Sequence, residues 1–110
     1  MNTKNINLDL LIKLESKPEY TQRELSKEMG VSLGKINYCL KIMIEKGWVK
    51  LSNFGNNPNK ASYIYLLTPQ GIKQKATLTV LFLEIKLKEY ERLENEITKL
   101  KNDAKKFQFE

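Results

Sequence analysis

Four polar side chains between positions 35 and 41 have the types and spacing to act together on a nucleic acid. On an α-helix Lys35, Asn37, Tyr38 and Lys41 separate from an apolar set, Ile36, Cys39, Leu40 and Met43, so one face can pack while the other stays in solvent. Asparagine offers a donor and an acceptor to a base edge, and lysine offers a cation to a phosphate or a guanine. Tyr38 could reach a phosphate with its hydroxyl or lay its ring over a neighbouring hairpin. This is recognition chemistry, and catalytic chemistry is missing. With no histidine and a single cysteine there is no Cys/His pair, no metal-ligand set and no intramolecular disulfide, and neither a phosphate-cradling glycine loop nor paired carboxylates stand in a defensible pocket. No catalytic residue, metal or cofactor is expected. Cys39, placed among Ile36, Leu40 and Met43, reads as inert packing in preference to a redox sensor.

Charge distribution supports the same stretch. The 110 residues carry a formal net charge of +6, which favours a polyanionic partner. Residues 1–31 hold five basic and five acidic side chains, whereas residues 32–60 set Lys35, Lys41, Lys46, Lys50 and Lys60 against Glu45 alone. Most of the excess therefore lies on the candidate helix and the loop after it. There is no signal-peptide apolar region, and the most apolar run, Leu78 to Leu87, is broken by Thr79, Glu84 and Lys86, far short of the ~18 apolar residues of a membrane span. A cytoplasmic protein with no membrane partner is expected.

The flanking sequence supplies elements that would hold this face in place. Ile6 to Leu14 carries a broad apolar helical face that ends before Lys17-Pro18, because the residue before proline resists helix. Thr21 is an N-cap with Glu24 three residues on, which makes a capping box, and Tyr20 is placed to staple onto Leu25. This second helix runs to Glu28 or Met29, and Gly30 supplies the tight turn before Ser32, the N-cap of the third helix. Leu25, Met29, Val31, Ile36 and Leu40 would form the core that fixes the pair. Gly47 ends the third helix. Trp48–Leu51 and Ala61–Leu67 read as strands around a polar loop, Ser52 to Lys60. Three helices followed by a hairpin is the winged helix-turn-helix order, in which the third helix enters a major groove. The fold class expected is mainly α with a small β-hairpin, a winged helix-turn-helix domain over residues 1–68 followed by a long helix over 69–110.

That last helix opens with Thr68 as N-cap and Pro69 at the first helical position. A helix of ~35 to 39 residues at 1.5 Å each exceeds 50 Å, more than a small domain covers. From Tyr90 its apolar residues repeat at alternating spacings of three and four, Tyr90, Leu93, Ile97, Leu100, Ala104 and Phe107, which is a coiled-coil seam. Leu83 and Leu87 extend it upstream, in a segment apolar over more of its circumference that we expect to lie between its own winged domain and a second subunit. The flanking charges do not decide between parallel and antiparallel pairing, since exposed pairs are worth only ~0.2–1 kcal/mol.

The run GVSLGKINYCLK, the following EKGWVK, the segment NKASYIYLLTPQG and the lone C-terminal helix together resemble the MarR-type winged-helix transcriptional regulators, and among them the short group associated with bacterial exopolysaccharide gene clusters. The resemblance implies that Ser32, Leu33, Gly34, Lys35, Asn37, Tyr38 and Lys41 form the DNA-reading face, with Asn56, Asn57, Asn59 and Lys60 at a backbone-contacting wing tip. This chain departs from the family in two ways. Its wing lacks the arginine that enters the minor groove in typical members, and almost nothing precedes the first helix, so the dimer interface is expected to rest on residues 72–107 and no small-molecule effector is evident. The implied function is a homodimer that binds double-stranded DNA at a roughly palindromic operator, with exopolysaccharide genes as the target. The alternative is an adaptor that uses the winged domain and coiled coil to recruit another protein.

Overall fold

The computed structural model describes residues 5–53 and 63–108. In chain order the elements are α1 (Ile6–Ser16), α2 (Gln22–Met29), α3 (Leu33–Glu45), β1 (Val49–Asn53), β2 (Tyr63–Leu67) and α4 (Pro69–Gln108). This is the winged helix-turn-helix order read from the sequence, closed by one long helix.

Each short helix begins on a side chain that satisfies an orphan N–H. Asn5 accepts from the Leu8 N–H, Thr21 from Glu24 and Ser32 from Lys35. The α2 cap is reciprocal, because the Glu24 carboxylate accepts the Thr21 N–H at 2.9 Å, as its spacing predicts. Gly30 closes α2 at φ +65°, and both its own N–H and that of Val31 donate to the Ser26 carbonyl. Helix α3 ends on Gly47 at φ +78°, with the Gly47 N–H on Ile44 and the Trp48 N–H on Met43 at 2.9 Å, the paired bonds of a Schellman ending.

Two compact units divide the chain, Met1–Leu78 and Thr79–Glu110. The first is built on a core of Leu10, Leu11 and Leu14 from α1, Leu25 and Met29 from α2, Ile36, Cys39, Leu40 and Met43 from α3, and Val49 from β1. Tyr20, Val31, Trp48, Tyr65, Leu67 and Leu78 pack on it while partly exposed. Among the described residues no side-chain polar group is buried without a partner.

The two strands pair antiparallel, Val49 with Leu67 through Asn53 with Tyr63. β1 begins one residue later than the sequence indicates and runs on through Ser52 and Asn53, which the sequence places in the loop. Trp48, expected as the first residue of the strand, instead donates its N–H to the end of α3, and its carbonyl accepts the Thr68 N–H at 3.0 Å. The expected strand positions Ala61 and Ser62 lie outside the described residues. The hairpin is fastened to the helices by the Tyr65 N–H donating to the Pro18 carbonyl and by Gln22 Nε2 donating to the Tyr65 hydroxyl at 3.0 Å.

Helix α4 starts on the predicted Thr68 cap, whose Oγ1 accepts the Gly71 N–H at 3.0 Å and donates to the Gly47 carbonyl. Lys75 pairs with Glu15 of α1, and Leu78 is the last residue packed on the core. The first ten residues of α4 thus group with the winged unit. The second unit, by itself, is a helix that exposes Val80, Leu81, Leu83, Ile85 and Leu87, followed by the seam. No described helix is long and apolar enough to cross a membrane.

Candidate nucleic-acid interface

Helix α3 divides as its period requires. Ile36, Cys39, Leu40 and Met43 are buried, and Lys35, Tyr38 and Lys41 are exposed, with Asn37 half-buried between them. Burial of the apolar four anchors α3 against α2 and β1 within the shared core, each such side chain contributing roughly 1.5–3 kcal/mol if fully buried. The polar side is thereby held outward on a rigid support. Tyr38 is 59% exposed, and the Lys35 ammonium sits 5.8 Å from the centroid of its ring. A cation over that ring orders both side chains at the solvent face.

The first turn of α3 presents Ser32, Leu33, Gly34 and Lys35, all exposed. The Ser32 hydroxyl is occupied by the Lys35 N–H at 3.1 Å and acts as a cap. Leu33 points no bulk into the core and remains 40% exposed. Of the wing positions expected at a backbone contact, Asn56, Asn57, Asn59 and Lys60 lie outside the described residues; Lys50 on β1 is described and exposed.

Reading the sequence alone passes over two further cations. Arg23 and Lys27 of α2 are exposed, and neither is in an ion pair among the described residues. Their presence was hidden in the neutral sum of residues 1–31, because the acidic neighbours that cancel them are committed elsewhere. Glu28 accepts from Lys13 at 3.3 Å and Glu24 lies 3.8 Å from Lys17. Asking which acids are pinned by capping and helix contacts would have brought these cations out, since Glu24 is the capping-box residue.

The same network sets local electrostatics. The Tyr20 hydroxyl donates to Glu28 Oε1 at 2.8 Å, which with the Lys13 contact holds the Glu28 carboxyl below its ordinary range and raises the phenol. Glu24 is also lowered, chiefly by the Thr21 backbone and hydroxyl it bonds, with Lys17 adding to them. Lys13 and Lys17 both stand over the Tyr20 ring, at 5.9 and 4.9 Å. These contacts brace the joint between α1 and α2, with Lys17, Glu24 and Glu28 exposed and Lys13 and Tyr20 half-buried.

Cys39 is a buried free thiol in the α3 packing face. The seam residues Leu83, Leu87, Tyr90, Leu93, Ile97, Leu100, Ala104 and Phe107 are all exposed in the single chain, the large ones between 42% and 80%.

Comparison with known proteins matches residues 5–50 to a family described as winged helix-turn-helix DNA-binding. Among solved structures, MarR of E. coli in its apo form is 23% identical over 93% of this chain and 76% of its own, with a TM-score of 0.67. A variant of MepR from S. aureus is 20% identical over 94% of this chain and 77% of its own, at 0.66. FabT of Streptococcus pneumoniae, solved in complex with DNA, is 16% identical over 93% of this chain and 76% of its own, at 0.58. Curated proteins give no match. The resemblance drawn from the residues is thus met at the level of fold, over nearly the whole chain.

Proposed function

We propose that this chain, whose fold is that of the MarR-type winged helix-turn-helix proteins, is a DNA-binding transcriptional regulator. The observation that carries the reading is the division of α3, with four apolar side chains buried and Lys35, Tyr38 and Lys41 held outward beside an exposed first turn. The match of residues 5–50 to a DNA-binding family and the DNA complex of the similar FabT structure support it. Ser32, Leu33, Gly34, Lys35, Asn37, Tyr38 and Lys41 are the residues we assign to the major groove. Asn37 reads a base edge, and Lys35, Lys41, Lys50 and Lys60 neutralise phosphates. Asn56, Asn57 and Asn59 are assigned with Lys60 to the wing tip.

The regulator acts as a homodimer without catalysis. Its seam, Leu83 through Phe107, is an apolar stripe that one chain leaves in solvent, and a second copy supplies a matching stripe. Two α3 helices then reach successive major grooves about 34 Å apart on a roughly palindromic site. The sequence likeness to the exopolysaccharide-associated group supports an operator beside exopolysaccharide genes. Selection of binding sites from random DNA with wild type and with an Asn37→Ala, Lys41→Ala double variant tests the reading. Wild type is expected to enrich one motif that the double variant loses; a folded dimer that enriches nothing supports the adaptor reading instead.

A further inference from the structure

The first turn of α3 holds two residues that packing within the chain does not account for. Leu33 is a large apolar side chain left 40% exposed at the first helical position. Gly34 follows it with φ outside the left-handed region, and a Cβ added there would meet nothing within 4 Å. Alanine would fit that backbone and that space. Glycine is the poorer helix former of the two, because it loses more backbone freedom on ordering. The chain therefore keeps a weaker residue, next to an exposed apolar one, where its own fold needs neither.

The surroundings narrow what fills the space. Gly34 is in helical line with Tyr38 and Lys41, four and seven residues on, so it leaves a notch at the leading end of the same outward stripe. On that stripe the Lys35 ammonium stands 5.8 Å from the centroid of the Tyr38 ring, while the space at Gly34 stays open. The partner is thus polyanionic, as the lysines at 35 and 41 require, and also presents a small apolar group at a closely approached edge. In the major groove one base meets that description: thymine, through its 5-methyl.

We propose that Leu33 reads the 5-methyl group of a thymine in each half-site, and that Gly34 is the clearance that lets the first turn of α3 approach the base. This rests on the DNA-binding reading above. It adds an apolar determinant to the polar ones, and it assigns glycine at 34 to the complex instead of to the fold.

The test starts from the site that wild type selects and replaces each thymine singly with deoxyuridine, which removes only the methyl. At one thymine per half-site, uracil should weaken wild-type binding about threefold to fivefold, the size expected for one buried methyl. Leu33→Ala should bind the thymine and uracil versions alike, and since Leu33 lies outside the core its circular dichroism should match wild type. Gly34→Ala should melt higher than wild type and yet bind the selected site several-fold more weakly. Indifference of wild type to uracil at every position, or a uracil penalty that survives in Leu33→Ala, overturns the role of Leu33. Gly34→Ala binding as tightly as wild type overturns the clearance. Wild type that selects no site at all overturns the DNA-binding reading itself, so the two failures are separable.

Discussion

Gly71, in the first turn of α4, lies against the backbone of Trp48 so closely that a Cβ there would stand 2.9 Å from the Trp48 carbonyl carbon and nearer still to its oxygen. The approach is drawn tight by Thr68, whose N–H donates to that same carbonyl and whose hydroxyl bridges the Gly47 carbonyl and the Gly71 N–H. Three segments, the end of α3, the start of β1 and the start of α4, are thereby held within one knot of backbone. Gly71→Ala must push the Trp48 carbonyl away, and with it the hydrogen bonds that close α3. We expect a loss of about 2 kcal/mol or more, in the range of overpacked sites, read as a lower urea midpoint at unchanged slope. Gly34→Ala, the same exchange at an open site, supplies the opposite sign as an internal control.

How much of this was legible in the sequence depends on whether a feature is local. The Thr21–Glu24 capping box, the left-handed Gly30 and Gly47, and the Thr68-Pro69 start follow from rules that span four or five residues, and they stand where those rules put them. The buried face of α3 follows from helical period alone. Gly71 gave no such signal, because the atom that forbids its Cβ belongs to a residue 23 positions earlier and is brought there only by the folded knot. Trp48 departs from the strand for the same reason: its propensity is that of a strand residue, but both of its backbone groups are taken by the joints on either side. Arg23 and Lys27 do not show in the charge of residues 1–31, because net charge by segment does not distinguish an acid that pairs with them from one pinned to a helix cap.

The Tyr20–Glu28 contact predicts a specific acid sensitivity. Glu24 and Glu28 both titrate below their ordinary value of 4.5 in the folded protein, so they bind protons more readily when unfolded. Their contribution is present above pH 4.5 and is lost as pH falls from there through the lowered folded values. Tyr20→Phe removes the hydroxyl that does most to lower Glu28 and should make the melting temperature less dependent on pH below 4.5, relative to wild type, with Glu24 retaining its share. Because these side chains are exposed, the effect should also shrink in high salt where Lys13 and Lys17 contribute. Melting curves between pH 3 and 7 for both proteins check it; parallel curves would show that the contact carries no linkage.

The exposed seam predicts a concentration-dependent assembly that depends on few residues. Ile97 and Leu100 sit in the middle of the stripe and are 42% and 67% exposed in a single chain. A paired helix would cover them, and each fully buried side chain would stabilise the pair by roughly 1.5–3 kcal/mol. Placing charges there, Ile97→Asp with Leu100→Asp, should yield a monomer by sedimentation without changing the melting of the winged unit, whose core contains neither residue. Truncation after Glu89 should have the same result. A truncated chain as dimeric as the full one would move the interface upstream of Tyr90.

Changed singly, Asn37 should govern specificity, whereas affinity should rest on Lys35 and Lys41. Both are exposed cations on the outward side of α3, and the fold makes no salt bridge with either among the described residues. Their removal therefore costs the free protein little, and surface substitutions of this kind usually stay within about 0.5 kcal/mol. In a complex each phosphate contact releases a counterion, so the logarithm of the binding constant falls against that of the salt concentration with a slope near −0.9 per contact. Lys41→Ala should flatten that slope by about one unit and weaken all sequences alike. Asn37→Ala should leave the slope unchanged and reduce the preference for the selected site over random DNA, because an amide that reads a base edge releases no ion. Titrations of both variants from 50 to 300 mM salt distinguish these outcomes: a slope unchanged in Lys41→Ala would mean that its ammonium stays in solvent in the complex, and its assignment to a phosphate would fall.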